Sequence, residues 1–433
     1  MKTVIKKTKD NTVSTYITAY DIYKANTVSH LGFTGVPSIA ARHTAIEYGA
    51  IQLDCGYMPR EVGKNKLLVL ITHFHSDHGS DICNCIGYDN RVTIFVPAFS
   101  ALNLFNKIKC DISMQKGRQY TDEEIVKMVR IIGCKKDNDE FNSVNTILSQ
   151  DTIIIRKSEQ SIYTPKNKQL VIIELISMGD KIIVPLRGRD EVMIEPFQCY
   201  HTVDTCGYAI SEVRKKLVDN ISYIPNSTIE VNFTEDQQKN ENVYDDWHND
   251  PKYQDIIEFS QRHNVKIIPE IIDRPVTPKY TLKVRSLHFP DGININTKLQ
   301  NECIMNTSDF KFLHKYKINL QENHYSLKTV FFGDTCSYVF NKQNTRIHEL
   351  IKTAQTVIIE ATFLEDFKEM SKSKYKERYE KKHMFLFELY PIFKAYPDTQ
   401  FLLIHFSACY DKETIQKYIL DINKHYNNVT GFI

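Results

Sequence analysis

Short apolar runs of strand length recur along the chain, and five of them close on a residue that can bind a metal or move a proton. Residues 67–71 are wholly aliphatic and end at Thr72, after which His73, His75, Asp77 and His78 follow in close succession. Comparable runs, rich in β-branched and aromatic residues, predict strands over 13–20, 91–96, 152–155, 169–177, 181–185, 191–200, 328–332, 355–360 and 400–404. A hairpin is expected over 44–53, turned near Tyr48-Gly49 and closing on Asp54. Helical periodicity predicts helices from Pro97 to 107, over 121–132 behind a Thr121-Asp122-Glu123-Glu124 cap, and over 255–261, 346–353, 367–382, 383–393 and 411–423. Residues 31–38, with two glycines, read as a turn-forming loop, and 135–150 and 285–320 as loops. His201, Asp334, Glu360 and His405 fall just past strand ends, as His73 does. Layered α/β folds collect their active sites outside one end of the strands.

A buried strand does not tolerate four such polar groups without partners, but a strand mouth can converge them on ions. Imidazole and carboxylate together suit zinc and similar divalent ions. His73 and His75 share one side of an extended chain, and the turn through Ser76 and Gly79 carries Asp77 and His78 to a second point. The stretch therefore reads as ligands for two metals. Asp54, at a strand end ahead of it, is placed to orient a ligand histidine through its free ring N–H, or else simply to cap a turn.

Composition narrows the field. The chain has 433 residues, 42% hydrophobic and 25% charged, which describes an ordinary globular protein. The net charge of +2 gives no global basic bias, so a nucleic-acid partner would have to be held by a local patch. The Lys-rich first ten residues lack the apolar core of a secretory leader. No apolar run reaches the ~18–20 residues of a membrane span. Ten scattered cysteines without a CxxC pair read as free thiols in a reducing cytosol, so a cytoplasmic location is expected. Residues 220–322 are polar and loop-rich and read as an insertion, a substrate arm or an ornament, within one 1–433 hydrolase domain.

His73-Phe74-His75-Ser76-Asp77-His78 matches the His-x-His-x-Asp-His signature of the metallo-β-lactamase fold. The finer motifs resemble tRNase Z (ribonuclease Z). Leu31-Gly32 to Pro37 with Arg42 is similar to its opening loop, and Gly207-Tyr208-Ala209-Ile210 to its third motif. Glu360-Ala361-Thr362-Phe363 resembles its His-Glu-Ala-Thr motif, with Ile359 in place of the histidine. His405-Phe406-Ser407-Ala408-Cys409-Tyr410 resembles His-Phe-Ser-x-Arg-Tyr, with Cys409 in place of the arginine. The resemblance covers about residues 13–220 and 325–425, and lacks a Gly-Pro-rich arm.

The resemblance implies a four-layer αββα sandwich of the α/β class, with metals at one edge. It implies that His73, His75 and His201 hold one zinc, that Asp77, His78 and His405 hold a second, and that Asp334 bridges them, manganese being a possible substitute. Asp77 would also take a proton from the attacking water, and His383 with Glu360 would protonate the leaving oxygen. Read plainly, His383 is a helix-start histidine and Glu360 a turn cap. Arg42 and His43 are candidates for touching substrate phosphate. The implied partner is RNA, a tRNA precursor trimmed at its 3′ trailer, and the implied assembly a homodimer. Two other readings stand beside this one: a hydrolase of a small phosphodiester or ester, and a binding protein on the same fold without catalysis.

Overall fold

The computed structural model describes residues 5–7, 13–15, 28–30, 32–37, 44–64, 66–87, 90–136, 152–156, 170–188, 190–217, 220–225, 230–232, 258, 266–272, 281–294, 321–366 and 370–433. Arg42, His43 and most of the 255–261 helix expected above lie outside them. The chain divides into two compact units, Met1–Val213 with Tyr325–Ile433, and Arg214–His324.

The larger unit is built on two sheets. The first contains β1 (Val28–His30), β2 (Phe33–Pro37), β3 (Thr44–Tyr48), β4 (Ile51–Leu53), β5 (Leu68–Leu70), β6 (Val92–Pro97), β7 (Val129–Lys135), β8 (Thr152–Arg156) and β9 (Leu170–Ser177). Their order is β8-β9-β7-β6-β5-β4-β3-β2-β1. β1 to β4 form an antiparallel meander, and from β4 onward every pairing is parallel. The second sheet runs in chain order through β10 (Ile182–Pro185), β11 (Glu191–Tyr200), β12 (Asp204–Leu217), β13 (Gln321–Phe331), β14 (Thr356–Glu360), β15 (Gln400–Ile404) and β16 (Val429–Gly431).

Strand alternation decides what each face buries. Leu68 and Leu70 of β5 face the second sheet, where they join Phe331, Ile358 and Leu402 in one core. Val69 between them points the other way, into a core with Leu104, Ile108 and Ile125. These last three come from helices α2 (Ala98–Lys116) and α3 (Asp122–Met128), which follow the four-residue helix α1 (Ser76–Gly79). Ile358 of β14 faces inward while Val357 and Ile359 face out. They meet α4 (Thr345–Thr353), α6 (Leu386–Ala395) and α7 (Lys412–Ile422) through Ile347, Leu350, Leu389, Phe393, Ile415 and Ile419. Between α4 and α6 lies α5 (Lys372–Glu380). Both faces of both sheets are thus covered, which is why the strands read as unbroken Val, Ile and Leu. The architecture is a four-layer αββα sandwich.

Several expectations are corrected. The predicted loop over 31–38 contains β2, whose Gly35 pairs with Ile46. The helix expected to reach 132 ends at Met128, and Val129–Lys135 is a parallel strand. The capping box at Thr121 and Glu124 starts the helix as its sequence says, but a β-branched run with a sheet edge available ends it early. The helix from Pro97 continues to Lys116, where Gly117 in the left-handed region closes it. His383 does not open a helix: α6 begins at Leu386, and His383 lies in the extended stretch before it. In the second unit, residues read as polar and loop-rich form a four-stranded antiparallel sheet of Asn220–Pro225, Glu230–Asn232, Lys266–Ile272 and Thr281–Asn294.

Close packing on the helix-covered face of the second sheet depends on glycine. Gly207 of β12 is opposite Phe197 of β11, and a Cβ there would overlap the Phe197 ring and lie 2.8 Å from the Phe331 carbonyl oxygen. Both obstacles belong to the buried core, so neither can swing aside. Gly207→Ala is expected to destabilise the fold by about 3 kcal/mol, the upper range for overpacking, read as a lowered denaturation midpoint in urea. An unchanged midpoint would mean that β11 and β12 shift apart at little cost.

Candidate metal centre

The ends of β5, β11, β13, β14 and β15 open on one edge of the sandwich, and each delivers its polar residues there. Beyond β5, Thr72 and His73 are fully buried, and α1 turns the chain so that His78 comes back beneath them. His201 follows β11, Asp334 follows β13, Glu360 ends β14 and His405 follows β15; all four are buried. Gly333 allows the two sheets to meet at this point. A Cβ on it would lie 2.6 Å from Thr72 Cβ of the first sheet and 2.8 Å from Thr205 Cγ2 of its own.

Asp334 is the centre of the group. Its Oδ2 lies 3.3 Å from His405 Nε2, 3.4 Å from His78 Nε2, 3.7 Å from His383 Nδ1 and 3.8 Å from His73 Nε2. Asp77 Oδ2 stands 3.5 Å from His78 Nε2 and 3.6 Å from His405 Nε2. Three sets of side-chain ligand atoms come close enough to share an ion: His73, His75 and His201; Asp77, His78 and His405; and His73, His78 and Asp334. A fourth, Asp334, Glu360, His383 and His405, overlaps them.

The outer partners of the histidines fix which nitrogen faces inward. His78 Nδ1 donates to Asp54 Oδ2 at 2.8 Å. His73 Nδ1 lies 3.1 Å from the Thr72 hydroxyl, whose own proton goes to Asp54 Oδ2 at 2.9 Å, so the ring donates. His405 Nδ1 likewise donates to the Thr362 hydroxyl at 3.0 Å, and that hydroxyl donates to Glu360. His201 Nδ1 donates to the Lys382 carbonyl at 3.3 Å. In each neutral ring, Nε2 is then a bare lone pair aimed into the cluster. His78 Nε2 and His405 Nε2 are 3.3 Å apart, and His73 Nε2 is 3.1 Å from His75 Nδ1, close enough in each case to share a proton or an ion. His201 Nε2 is buried with no hydrogen-bond partner among the described residues. Ligand atoms gathered this closely, with an orphaned nitrogen beside them, are a set that a cation would satisfy. The residues fit a divalent metal centre.

Electrostatics agree with that fit at three of the rings. Burial holds the rings of His73, His75 and His201 below the usual imidazole range, so they are neutral and able to ligate. Burial also opposes charge on Asp334, but His405 and His78 beside it outweigh that and hold its carboxyl well below the ordinary range. Asp77 is held low in the same way, His405 and His78 overcoming its partial burial. Burial pushes the Asp54 carboxyl up, partly offset by its bond to His78. Burial works against a charged His78, yet Asp334 and Asp54 raise it.

Glu360 and His383 form a separate pair at the margin. His383 Nδ1 donates to Glu360 Oε2 at 2.9 Å, and the Thr335 backbone N–H donates to Oε1 at 2.5 Å. Burial lowers the His383 pKa, but Glu360, by charge and hydrogen bond, and Asp334 together raise it to about 9. Among the described residues, three non-glycine ones occupy the left-handed backbone region, and all three serve this edge: Asp54 at φ 50°, Lys382 at 52° and His405 at 59°. Each costs roughly 1 kcal/mol, and such strain concentrates at functional sites.

Sequence reasoning named His73, His75, Asp77, His78, His201, Asp334, Glu360, His383, His405 and Asp54, and the fold gathers all of them at this edge. It gave no role to Thr72, Thr335, Thr362 and the Lys382 carbonyl, which hold those side chains in place. The signal was local: each threonine lies within two residues of a named acid or histidine.

No protein-family model and no curated protein matches the sequence. Solved structures that align with it include the short form of human tRNase Z, at 11% identity over 92% of this chain and 93% of that one, with a TM-score of 0.38. The metallo-beta-lactamase fold protein YhfI of Bacillus subtilis aligns at 11% identity over 92% and 94%, with a TM-score of 0.37. A diphosphatase of the PhnP family aligns at 7% over 89% and 79%, with a TM-score of 0.33. These likenesses are loose, and the architecture rests on the chain's own sheet order and cores.

Proposed function

We propose that this chain is a two-metal phosphodiesterase, an endoribonuclease that removes the 3′ trailer of tRNA precursors. The observation that carries the hydrolytic part is the convergence of the ligand sets on Asp334, with His201 Nε2 buried and without a hydrogen-bond partner among the described residues. The motifs at Glu360 and His405 support the choice of RNA.

In this reading His73, His75 and His201 would hold one zinc and Asp77, His78 and His405 the other, with Asp334 available to both. Bound there, divalent cations supply Lewis acidity, making water acidic enough to react near neutral pH and drawing charge from phosphoryl oxygens. The protein does the rest. Asp54, Thr72, Thr362 and the Lys382 carbonyl keep the ligand rings in the tautomer that presents Nε2. Asp77, ionised and partly exposed, accepts a proton from the attacking water. His383 is the acid: Glu360 occupies its Nδ1, which leaves Nε2–H to protonate the departing ribose oxygen.

The test is purified protein supplied with zinc or manganese, a 3′-extended tRNA precursor and a small phosphodiester such as bis-p-nitrophenyl phosphate. Cleavage beside the discriminator base is expected. Turnover of the small ester alone would replace tRNA processing with small-phosphodiester hydrolysis. Two bound metals with no turnover of either would leave a binding protein.

A further inference from the structure

Residues 372–382 hold six cations, Lys372, Lys374, Lys376, Arg378, Lys381 and Lys382, against Glu377 and Glu380, in a chain whose total charge is only +2. They form α5 and the link from it to His383. The usual reading of such a run is a solvated face whose charges pair among themselves, and part of it is that. Arg378 is buried and bonds to Glu365 and to the Tyr410 hydroxyl at 3.2 Å. Lys374 also meets Glu365, at 3.2 Å, and Lys381 pairs with Glu377 at 3.3 Å. These bonds fasten the helix beside the loop that follows β15.

One face is left over. Lys372, Lys376 and Tyr379 stand at i, i+4 and i+7, so they line one side of α5. Both lysines are exposed, and neither has an ion-pair partner among the described residues. Tyr379 is 54% exposed, so its ring is open to a stacking partner. It is also the outer end of a ladder of rings. Tyr379 stacks with Tyr375 at 5.9 Å between centroids, Tyr375 with Phe385 at 5.2 Å, Phe385 packs on Phe363 at 5.0 Å, and Phe363 meets His383 edge-on at 6.2 Å. Arg378 lies over Phe363, 4.6 Å from its centroid, and stiffens the ladder from behind. The far end of the link is tied to the metal edge, since the Lys382 carbonyl receives the His201 ring N–H.

Lysines in line with a propped aromatic ring are the pattern by which single-stranded nucleic acid is held: cations track the phosphates, and a base stacks on the ring. An acidic protein surface would use the lysines but leave the tyrosine without a purpose. We propose that Lys372, Lys376 and Tyr379 form an RNA-docking face that leads the strand to His383. This rests on the phosphodiesterase reading above and names the surface by which that site selects a polyanion over a small ester. It also meets the requirement that a chain with little net charge hold nucleic acid through a local patch.

The experiment uses the full chain and the variants K372Q/K376Q, K372R/K376R and Y379A, with binding of a 3′-extended tRNA precursor followed by fluorescence anisotropy over a salt series. K372Q/K376Q is expected to weaken binding roughly tenfold near 0.1 M salt and to flatten the log–log salt slope by about 1.5. K372R/K376R should restore both, and Y379A should weaken binding roughly tenfold with the salt slope unchanged. Unaltered affinity and slope in K372Q/K376Q would overturn the proposal. So would an equal fall in RNA cleavage and in small-ester turnover, which would make α5 structural. If the unmodified chain binds the precursor with the expected slope but hydrolyses only small esters, the docking face stands and the assignment of the reaction fails. If it does not bind RNA at all, the docking face fails whatever the site hydrolyses.

Discussion

Asp334→Ala is expected to release both metals and to abolish hydrolysis, lowering kcat/KM at least a thousandfold. The carboxylate lies within 3.8 Å of four of the six histidine rings at this edge, and its charge is the one both proposed ion sites share. A thousandfold corresponds to about 4 kcal/mol of transition-state stabilisation, a modest demand on a group placed between two cations. Without it, neutral imidazoles and Asp77 alone would face two divalent charges. The variant is also expected to lose stability, since removing one partner of a buried ionic group typically costs about 3–5 kcal/mol. Asp334→Asn separates the two effects, because it keeps the volume and removes the charge. Metal content by elemental analysis decides the matter. Two metals per chain retained in the folded Asn variant would remove Asp334 from the bridging position.

His383→Ala is the second large effect, and it should depend on the leaving group. General acid catalysis contributes roughly 10²–10⁴-fold where the departing oxygen needs a proton. RNA cleavage should therefore fall by about that factor, while a nitrophenyl phosphodiester, whose leaving group departs as a stable anion, should lose no more than a few-fold. The pH dependence carries a sign. Glu360 and Asp334 raise His383 to about 9, so the protonated acid is present at neutral pH and is lost as pH rises through that value. A cation on Asp334, 3.7 Å from Nδ1, would withdraw part of that support. The alkaline limb of the RNA rate should thus lie at or below about pH 9, be absent in His383→Ala, and move to lower pH in Glu360→Gln. Equal losses on both substrates, with no change in the limb, would rule out the acid role.

Much of this arrangement was legible in the sequence because the ligand-type residues are tied to strand ends. Residues 67–78 announce both a buried strand and its burden of ligands, and no tertiary knowledge is needed to see them. His201, Asp334 and His405 were legible for the same reason, each following an apolar run. The layering followed from strands such as β14 and β15 that are apolar on both faces. What stayed hidden depends on pairing rather than pattern. Val129–Lys135 could extend a helix or enter a sheet, and only the edge of β6 decides. The second unit's sheet was missed because Thr281–Asn294 and its neighbours carry polar residues and prolines between their β-branched ones, which masks a two-residue period. The roles of Thr72, Thr335 and Thr362 were invisible for another reason. A hydroxyl that fixes a tautomer is indistinguishable, in one dimension, from any threonine at a strand end.

The seam at Gly333 bears on how the protein reaches its native state. His73, His75 and His78 arrive with the first sheet, and His201, Asp334 and His405 with the second; His78 and His405, in contact, are 327 positions apart. Neither half alone carries a full ligand set. Loop-closure entropy makes such distant pairings late events in folding. High affinity for metal therefore arises only when the two sheets dock, and ions captured at that moment act as a latch on the finished fold rather than as a seed for it.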